Sequence, residues 1–586
     1  MRQWMVAAKK ADFYAIAEKF HVDPVVARII RNREVIGEKN IRIYLGGNLS
    51  DLSDPHQMKD MDRLVEILAQ KIRKQAHIRI IGDYDVDGVT SSHLFLTALR
   101  RVGAKVDVVI PHRIQDGYGL SLHLLQQAKE DGVDTILTCD NGIAAIDEIA
   151  WAKAQKMTVL VTDHHAVPFE EHEGRRTEKK SLADAVVNPH QQDCGYPYKE
   201  LCGAGVAWNV IRVLYENYDM DKREAEDLLD FVAMATVCDV MSLTGENRIL
   251  VKEGLKRIRH TKNIGLQALM QACNVQPENI SAYHFGYVLG PCVNATGRLD
   301  TARHALRLFE TGQETEAEEI ARDLVDLNQE RKELTLQGVE MAKKLCEEGG
   351  YEMDPVLVLF LPDVHESIAG LIAGRIREMY NRPVFVLTRG EEGVKGSGRS
   401  TENYSMYENM CGCAELFTKF GGHPMAAGLS LPEENVEKFR RKINENCPLT
   451  VEEVCPDIHI DMAMPVGYAS TELVHQFALL EPFGKDNPSP LFADRNLSIS
   501  RMWLIGKNRN VLRMSVLSEY GQPVPVIFFG DVETLFAYFT EKFGQEEVEN
   551  ALHGRKNRIL FSMVYTAKID FYQGNENLQL EMKYYR

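Results

Sequence analysis

Short runs of apolar, β-branched residues alternate with amphipathic stretches in the first third of the chain. The runs are 78–83, 105–112, 134–140, 158–163 and 184–189. Helical patterns such as TSSHLFLTALRRVG and AAIDEIAWAKAQ separate most of them. This alternation is typical of βαβ units, whose strands run parallel. The pattern therefore predicts an α/β domain built on a parallel sheet.

The rest of the chain shows different patterns on either side of this domain. Residues 203–345 are mainly helical, and the charged segment 313–349 is predicted to be one connecting helix that ends near two glycines, Gly349 and Gly350. A smaller α/β pattern follows, and then short strands separated by turn residues, which are typical of a small β-barrel. The predicted domains are a helical N-terminal region (1–75), a parallel-sheet domain (76–312), the connecting helix (313–349), a smaller α/β domain (350–455) and a β-barrel (456–586).

Composition and charge argue against a secreted, membrane-spanning or disulfide-rich protein. The 586 residues are 45% hydrophobic and 26% charged, as in ordinary globular proteins. The N-terminus lacks the pattern of a signal peptide, and no stretch approaches the ~18 apolar residues of a membrane span. Eleven scattered cysteines, with Cys411 and Cys413 as the only close pair, do not suggest a disulfide framework. We therefore expect a cytoplasmic protein that does not bind membranes. The net charge of −17 argues against a broad DNA-coating surface but allows a local basic groove.

Acidic motifs follow three of the predicted strands: GDYDVDG (82–88), CDNG (139–142) and TDHH (162–165). The carboxyl ends of parallel strands form a common ligand crevice. Asp85 and Asp87 are two residues apart, so an extended backbone would place both side chains on one face. Asp140 and His164 would arrive from neighbouring strands, and Asp239 adds a carboxylate within an apolar helical stretch.

Carboxylate and imidazole ligands together suit Mn²⁺, and also Mg²⁺ where water completes the coordination. Two such ions activate water and stabilise the leaving oxygen of a phosphodiester. Each motif alone is also compatible with a purely structural role, because DxDxDG occurs in turns and calcium-type loops, DHH at helix caps and CDNG in turns. Their order at successive strand ends favours a metal site.

These motifs resemble those of the DHH phosphoesterase superfamily, named for the residues at Asp163, His164 and His165. Within it, the chain is most similar to the RecJ exonucleases over nearly its whole length. The further matching segments are DLSDPHQMKDM, IPHRIQDGYGL (110–120), GPCVNATGR (290–298), LNQER (327–331), GSGRS (396–400), FGGHPMAAGLSL (420–431) and EPFGKDNPSPLF (481–492). Two positions depart from the family pattern: Cys292 stands where Arg is usual, and Asp486 where Gly is usual.

The resemblance implies a fold and a set of catalytic residues. The parallel-sheet domain would be a DHH domain, the smaller α/β domain a DHH-associated domain, and the barrel an OB-fold. Asp85, Asp87, Asp140, His164 and Asp239 would bind metal, with His165 at or next to it and Asp140 bridging two ions. Related pyrophosphatases and small-nucleotide phosphodiesterases have a His where this chain has Ile81. One metal site is therefore a ligand short, and we expect one ion to bind more weakly.

The resemblance also implies a phosphate-binding pocket. Its members would be Arg113, Arg298, Ser397 and Arg399, and His423 could also reach a substrate phosphate. Arginine presents a rigid fork of donors that suits phosphate oxygens, and the glycines around Ser397 allow backbone N–H groups to approach an anion. Taken singly, each arginine is equally typical of a protein surface, and His423 of a core.

The barrel is expected to follow single-stranded DNA, because OB-folds combine a basic groove with aromatic stacking surfaces. The basic residues of one predicted hairpin are Lys507, Arg509 and Arg513. The aromatic candidates are Trp503, Phe528, Phe529 and Tyr565, most of which are expected in the core.

The function implied is that of a metal-dependent 5′-to-3′ exonuclease that degrades single-stranded DNA to mononucleotides in recombination and repair. Single-strand-binding protein and a DNA helicase are partners associated with the family. One alternative is a DHH phosphodiesterase of short oligonucleotides or cyclic dinucleotides, although such enzymes are shorter and carry the histidine that Ile81 replaces. A non-catalytic scaffold, like the eukaryotic helicase component that resembles this family, is another alternative, but here every ligand position is filled.

Overall fold

The computed structural model describes residues 3–113, 116, 119–172, 175–390, 393–506, 511–572 and 574–586. These residues form two compact units. The first contains Leu52–Ser242 and Glu246–Pro456, and the second contains Gln3–Asp51, Leu243–Gly245 and Asp457–Arg586. Within the part of the chain that the structure describes, none of the helices combines the length and apolar composition that a membrane span needs.

The first unit begins with the predicted parallel sheet. Its strands lie in the order Val106–Val109, Ile78–Ile81, Thr135–Cys139, Thr158–Thr162 and Ala185–Val187, and all described pairs are parallel. The helices among them are Met61–Arg73, Val86–Arg101, Leu122–Glu130 and Ile146–Ala154. The strand Ile78–Ile81 is buried throughout, which explains its uninterrupted apolar pattern.

Helices carry the chain from this sheet to the second α/β region. They are Gly203–Asn217, Arg223–Glu226, Leu229–Cys238, Gly245–Ile258, Ile264–Ala272, Ala282–His284, Gly290–Leu299, Arg303–Glu310 and Glu314–Glu348, with a π-helical turn at Phe285–Leu289. The long helix Glu314–Glu348 buries Val339 and Ala342 against Ile372 of the second region. This packing lets one continuous helix join the cores of both α/β regions.

The second α/β region contains a mixed sheet. Its described strands lie in the order Lys419–Gly422, Ala426–Leu431, Gly393–Arg399, Val384–Gly390 and Leu357–Phe360. Only the last two pair in parallel. The helices of this region are Ala369–Tyr380, Met406–Cys411 and Val436–Glu445.

The second unit is built on the predicted barrel. Its strands are Met462–Ala463, Phe492–Ile505, Val511–Leu517, Pro523–Phe528, Leu560–Tyr572 and Asn575–Tyr585. Phe492–Ile505 pairs with both Val511–Leu517 and Leu560–Tyr572, so the pairings return to the strand from which they start. Such a circuit leaves few unpaired strand edges.

The sequence pattern predicted an all-β C-terminal segment, but the structure differs. The segment also contains the helices Thr471–Phe477, Val532–Phe543 and Gln545–Leu552. Asp531 caps the second of these, and Val532, Leu535 and Phe539 recur at helical spacing on its buried face. The strand pattern of the neighbouring sequence concealed this helical period.

The N-terminal helices share a core with the barrel. They are Phe13–Phe20, Pro24–Asn32 and Glu38–Gly46, and a short strand, Trp4–Val6, pairs in parallel with Ile458–Ile460. Val26 and Ile30 belong to the same apolar cluster as Leu480 and Met502. Arg33 forms an ion pair of 2.8 Å with Asp461, and both side chains are buried. Residues more than 400 positions apart thus fold as one body.

Candidate metal centre and anion cleft

The three acidic motifs meet at one edge of the parallel sheet. The strands that precede them, Ile78–Ile81, Thr135–Cys139 and Thr158–Thr162, are neighbours in the sheet. Their register is nearly level, because Ile81 lies opposite Thr138 and Cys139 opposite Thr162. As predicted, Asp140 and His164 therefore arrive side by side.

Donor atoms at this edge form overlapping groups, each with its atoms within 4.8 Å of one another. The groups are Asp87, His164 and Asp239; Asp140, His164 and His165; and Asp83, Asp85 and Asp140. The Nε2 atom of His164 is 3.0 Å from Oδ1 of Asp140, 3.6 Å from Oδ2 of Asp87 and 3.7 Å from Oδ2 of Asp239. Asp140 and His164 thus belong to two groups each.

Asp85 and Asp87 do not share an extended strand, contrary to the prediction from their spacing. The helix Val86–Arg101 begins between them, and Asp85 caps it by accepting a hydrogen bond of 3.0 Å from the Gly88 N–H. A Cβ atom at Gly88 would lie 2.4 Å from the Asp83 carbonyl oxygen, so the tight turn requires glycine there. Capping therefore overrides the two-residue alternation that an extended strand would give.

Asp87 faces the start of another helix. Its carboxylate oxygens accept hydrogen bonds from the Gly203 N–H (2.6 Å) and the Ala204 N–H (2.7 Å), at the N-terminus of Gly203–Asn217. The unpaired N–H groups and the positive end of the helix dipole stabilise a carboxylate there. A Cβ atom on Gly203 would lie 2.6 Å from Cβ of Asp140, so the helix approaches this closely only because residue 203 is glycine.

Asp163, the first residue of the DHH motif, holds the histidines in place. It accepts hydrogen bonds from the backbone N–H groups of Ile143, His164 and His165, and lies 2.7 Å from Nδ1 of His165. Burial alone would raise the pKa of Asp163, but its interaction with His165 outweighs burial and lowers it. Burial would likewise lower the pKa of His165, but Asp163 raises it to about 9.

Asp83 is a candidate ligand that the sequence analysis missed. It is buried next to Asp85 and Asp140. Burial and then repulsion from Asp85 raise the pKa of Asp83 to about 8. Its position directly after the first strand, in a run of alternating aspartates, was the available signal.

The electrostatics of this cluster suit a divalent cation. Burial raises the pKa of Asp85 and of Asp140, and repulsion from neighbouring carboxylates raises both further. Buried carboxylates are costly unless a cation or hydrogen bonds compensate them. Mixed oxygen and imidazole donors within one ion's reach therefore fit Mn²⁺ or Mg²⁺.

The predicted phosphate-binding arginines also approach one another. Arg298 donates a hydrogen bond of 2.6 Å to the Ser367 carbonyl, and Arg399 donates one of 3.3 Å to Oγ of Ser397. Burial, and then repulsion from Arg113, Arg331 and Arg399, lowers the pKa of Arg298 to about 10. Burial and then Arg113 lower the pKa of Arg399. Mutually repelling guanidinium groups are a favourable setting for an anion.

An open cleft of about 450 Å³ lies beside these side chains. Arg113, Ser397, Lys395 and Lys419 line it, as does Tyr84 of the first acidic motif. The guanidinium of Arg113 lies 4.8 Å from the centre of the Tyr84 ring. The cleft thus adjoins the loop that carries Asp83 and Asp85.

His423 is exposed, unlike the half-buried Arg298 and Arg399. It is exposed in the turn between Lys419–Gly422 and Ala426–Leu431, where its backbone N–H bonds the Ala426 carbonyl. Among the described residues that line the cleft, His423 does not occur, and neither do Arg298 and Arg399, which are half-buried beside it. Its role in substrate binding stays a prediction.

Some of the barrel residues proposed to contact DNA lie in the core, and others lie at the surface. Phe528 and Tyr565 are buried, as expected for most of these aromatics, whereas Phe529 is exposed. Trp503 is half-buried with two guanidinium groups nearby, those of Arg501 at 5.7 Å and Arg513 at 5.8 Å from its ring centre. Lys507 and Arg509 lie outside the described residues.

Comparison with known proteins identifies the same three regions. The chain matches the models of the DHH family N-terminal domain over residues 77–236, the DHHA1 domain over 353–447 and the RecJ OB domain over 460–584. The fold resembles a crystal structure of RecJ in complex with Mn²⁺ from Thermus thermophilus, with a TM-score of 0.81 and 25% identity, covering all of this chain and 79% of that one. The predicted fold class is thereby confirmed.

Curated relatives of this chain carry the name single-stranded-DNA-specific exonuclease RecJ. The Bacillus subtilis protein is 33% identical over 512 residues, which span 87% of this chain and 63% of the relative. The chain thus aligns with less than two thirds of that protein. The Haemophilus influenzae protein is 32% identical over 582 residues, which span 96% of each chain. Identity at this level along two chains of matching extent shows that the protein belongs to the RecJ family of single-stranded-DNA-specific exonucleases.

Proposed function

We propose that this protein hydrolyses single-stranded DNA from the 5′ end with two divalent cations, Mn²⁺ or Mg²⁺. The observation that carries the proposal is the overlap of donor groups around Asp140 and His164 at the edge of the parallel sheet. The relatives named as exonucleases support the choice of substrate, and the Mn²⁺ complex of the Thermus protein supports the choice of metal.

The residues divide into two ligand sets. Asp87, His164 and Asp239 would hold one ion, Asp83 and Asp85 the other, and Asp140 would lie between them, with His165 beside it. When bound, two such ions supply activation of water and stabilisation of the leaving oxygen. Asp163 orients the His165 ring and holds the backbone at His164 through its hydrogen bonds, and the helix at Gly203 orients the Asp87 carboxylate.

The arginine cluster would bind the 5′-terminal phosphate. A terminal phosphate has more free oxygens than an internal phosphodiester, and charge-assisted, fork-like hydrogen bonds favour it. The substrate polarity would then depend on Arg113, Arg298, Ser397 and Arg399, whereas the metal centre would be indifferent to it.

The alternative of a small-substrate phosphodiesterase is less well supported. The match to the RecJ OB domain over residues 460–584 gives the chain a region suited to long strands. The scaffold alternative does not explain why carboxylate and imidazole donors, most of them buried, converge at one sheet edge. An exonuclease of this kind would act in the bacterial cytoplasm during recombination and repair, with single-strand-binding protein and a helicase as partners that supply unpaired strands.

Digestion of end-labelled oligonucleotides tests the proposed function. With Mn²⁺ or Mg²⁺, we expect mononucleotides to be released first from the 5′ end of single strands, and matched duplexes to resist. Chelation of the metal should abolish the reaction. Cleavage limited to very short oligonucleotides or cyclic dinucleotides would instead support the alternative.

The two ions should differ in affinity. The set built on Asp83 and Asp85 offers carboxylates only, since the histidine of related enzymes is replaced by the buried Ile81. Titration with Mn²⁺, followed by calorimetry, should show one tight and one weaker binding event, and Asp83→Asn should weaken only the second. Two equally tight events, or loss of the tight one in this variant, would contradict the assignment.

A further inference from the structure

The helix Gly290–Leu299 runs along the candidate site from one end to the other. Near its C-terminus, Arg298 belongs to the arginine cluster, and a Cβ atom on Gly297 would lie 2.3 Å from the Tyr84 carbonyl oxygen. In its middle, Oδ1 of Asn294 accepts a hydrogen bond of 3.2 Å from the Val86 N–H, at the start of the helix that carries Asp87. The helix therefore contacts the loop of the first acidic motif directly.

The other end of this helix lies beside Asp239. A Cβ atom on Gly290 would lie 2.3 Å from Sγ of Cys238, the residue that precedes Asp239. From Gly290 to Arg298 the helix rises roughly 12 Å, at about 1.5 Å per residue. Gly290–Leu299 thus extends in a line from the arginine cluster, past the segment that carries Asp85 and Asp87, to the neighbourhood of Asp239.

Two tyrosines continue this line beyond Asp239. The segment before Gly290 buries Phe285 and Leu289, and turns Gly286 towards Val237. Tyr283 and Tyr287 are instead 62% and 71% exposed. Their rings stack on each other, with centres 5.2 Å apart and planes inclined by 24°. Tyr283 also meets the ring of His284 edge-on, with centres 5.6 Å apart, and both tyrosines keep most of their surface open to solvent.

We propose that Tyr283 and Tyr287 form a stacking platform for nucleobases on the 3′ side of the scissile phosphate. The proposal rests on the proposed function, in which a 5′-phosphate binds at the arginine cluster. A strand held there passes the metal ligands and leaves the site past Asp239, where the two tyrosines lie. Its bases are unpaired, so their flat faces are free to stack on the rings.

Stacking suits an exonuclease that must degrade strands of any base sequence. All four bases have a π-face, so aromatic platforms bind strands without reading sequence. Replacing such an aromatic residue by alanine weakens strand binding by about five- to 150-fold per base. The platform would therefore hold the strand between catalytic steps while the arginine cluster sets its polarity.

The test is kinetic and uses the double variant Tyr283→Ala/Tyr287→Ala. On single strands we expect KM to rise about tenfold, with kcat at saturation almost unchanged, because the tyrosines touch the bases and not the reacting atoms. The double variant Tyr283→Phe/Tyr287→Phe retains the rings and should restore KM. Tyr14→Ala, at a tyrosine that is 78% exposed in the helix Phe13–Phe20, is the matched control.

Abasic substrates separate stacking from a structural role. A strand that lacks the bases next to its 5′-terminal nucleotide should already show the raised KM with the unaltered enzyme, and the alanine variant should add little. Wild-type kinetics of the alanine variant on intact strands, or an equal loss on intact and abasic strands, would overturn the platform. In either case the unaltered enzyme would still degrade single strands, whereas its failure to do so would overturn the proposed function itself.

Discussion

Asp140→Asn should abolish nuclease activity while leaving the folded protein intact. Asp140 is the carboxylate shared by two donor groups, with its Oδ1 3.0 Å from Nε2 of His164. Removing its charge should weaken the binding of both proposed ions. Because such ions contribute several kcal/mol to transition-state stabilisation, kcat should fall by on the order of a thousandfold or more.

The choice of asparagine follows from the backbone. Asp140 has a φ of 61°, in the left-handed region that asparagine and aspartate tolerate better than alanine does. The substitution also removes a buried charge that neighbouring carboxylates repel. We therefore expect the Tm of the metal-free variant to equal or exceed that of the unaltered protein.

Asp219→Asn is the matched control for this experiment. Asp219 is an exposed aspartate of the first unit with a φ of 50°, outside the donor groups found among the described residues. It should keep full activity and metal binding. Near wild-type turnover by Asp140→Asn under saturating Mn²⁺ would refute the role of Asp140, and a fall in Tm shared with the control would point to the backbone instead.

Arg399→Ala should reduce kcat/KM on 5′-phosphorylated strands by about ten- to a hundredfold. This range follows from ~1.5–3 kcal/mol for a hydrogen bond to a charged group. Arg399 is held beside Ser397, and Gly370 leaves room for it, because a Cβ atom there would lie 2.9 Å from Nη2 of Arg399. On 5′-hydroxyl strands the loss should be much smaller, since the terminal phosphate is missing.

Two further variants show whether the guanidinium acts on phosphate. Arg399→Lys retains the charge but loses the fork of donors, so its kcat/KM should fall between those of the unaltered enzyme and the alanine variant. Arg389→Ala is the control, because Arg389 lies on the neighbouring strand, is 57% exposed and pairs with Glu433. An equal loss on both substrates would assign Arg399 to the fold or to the scissile phosphate. Release of nucleotides from the 3′ end first would refute the proposed polarity.

Local sequence patterns were sufficient for most of the elements and for the place of the candidate metal centre in the fold. Buried strands such as Ile78–Ile81 appear as uninterrupted apolar runs, because both faces of a parallel sheet are covered. Placing Asp140 and His164 after neighbouring strands required only the rule that parallel strands end at a common edge. The helix Val532–Phe543 was missed because its helical period lies among strongly β-forming sequences.

Long-range packing decided what local patterns could not. The hydrogen bonds from Gly203 and Ala204 to Asp87 join residues more than 100 positions apart, and no periodicity encodes that encounter. The same holds for the shared core of Val26 with Met502, and for the approach of Arg298 to Arg399. Burial of Asp83 beside Asp85 depends on how tightly the loop is closed around Gly88. The sequence by itself determined which side chains could take part in the chemistry, whereas tertiary packing decided their neighbours, because burial, charge repulsion and helix-end hydrogen bonds arise only once distant segments meet.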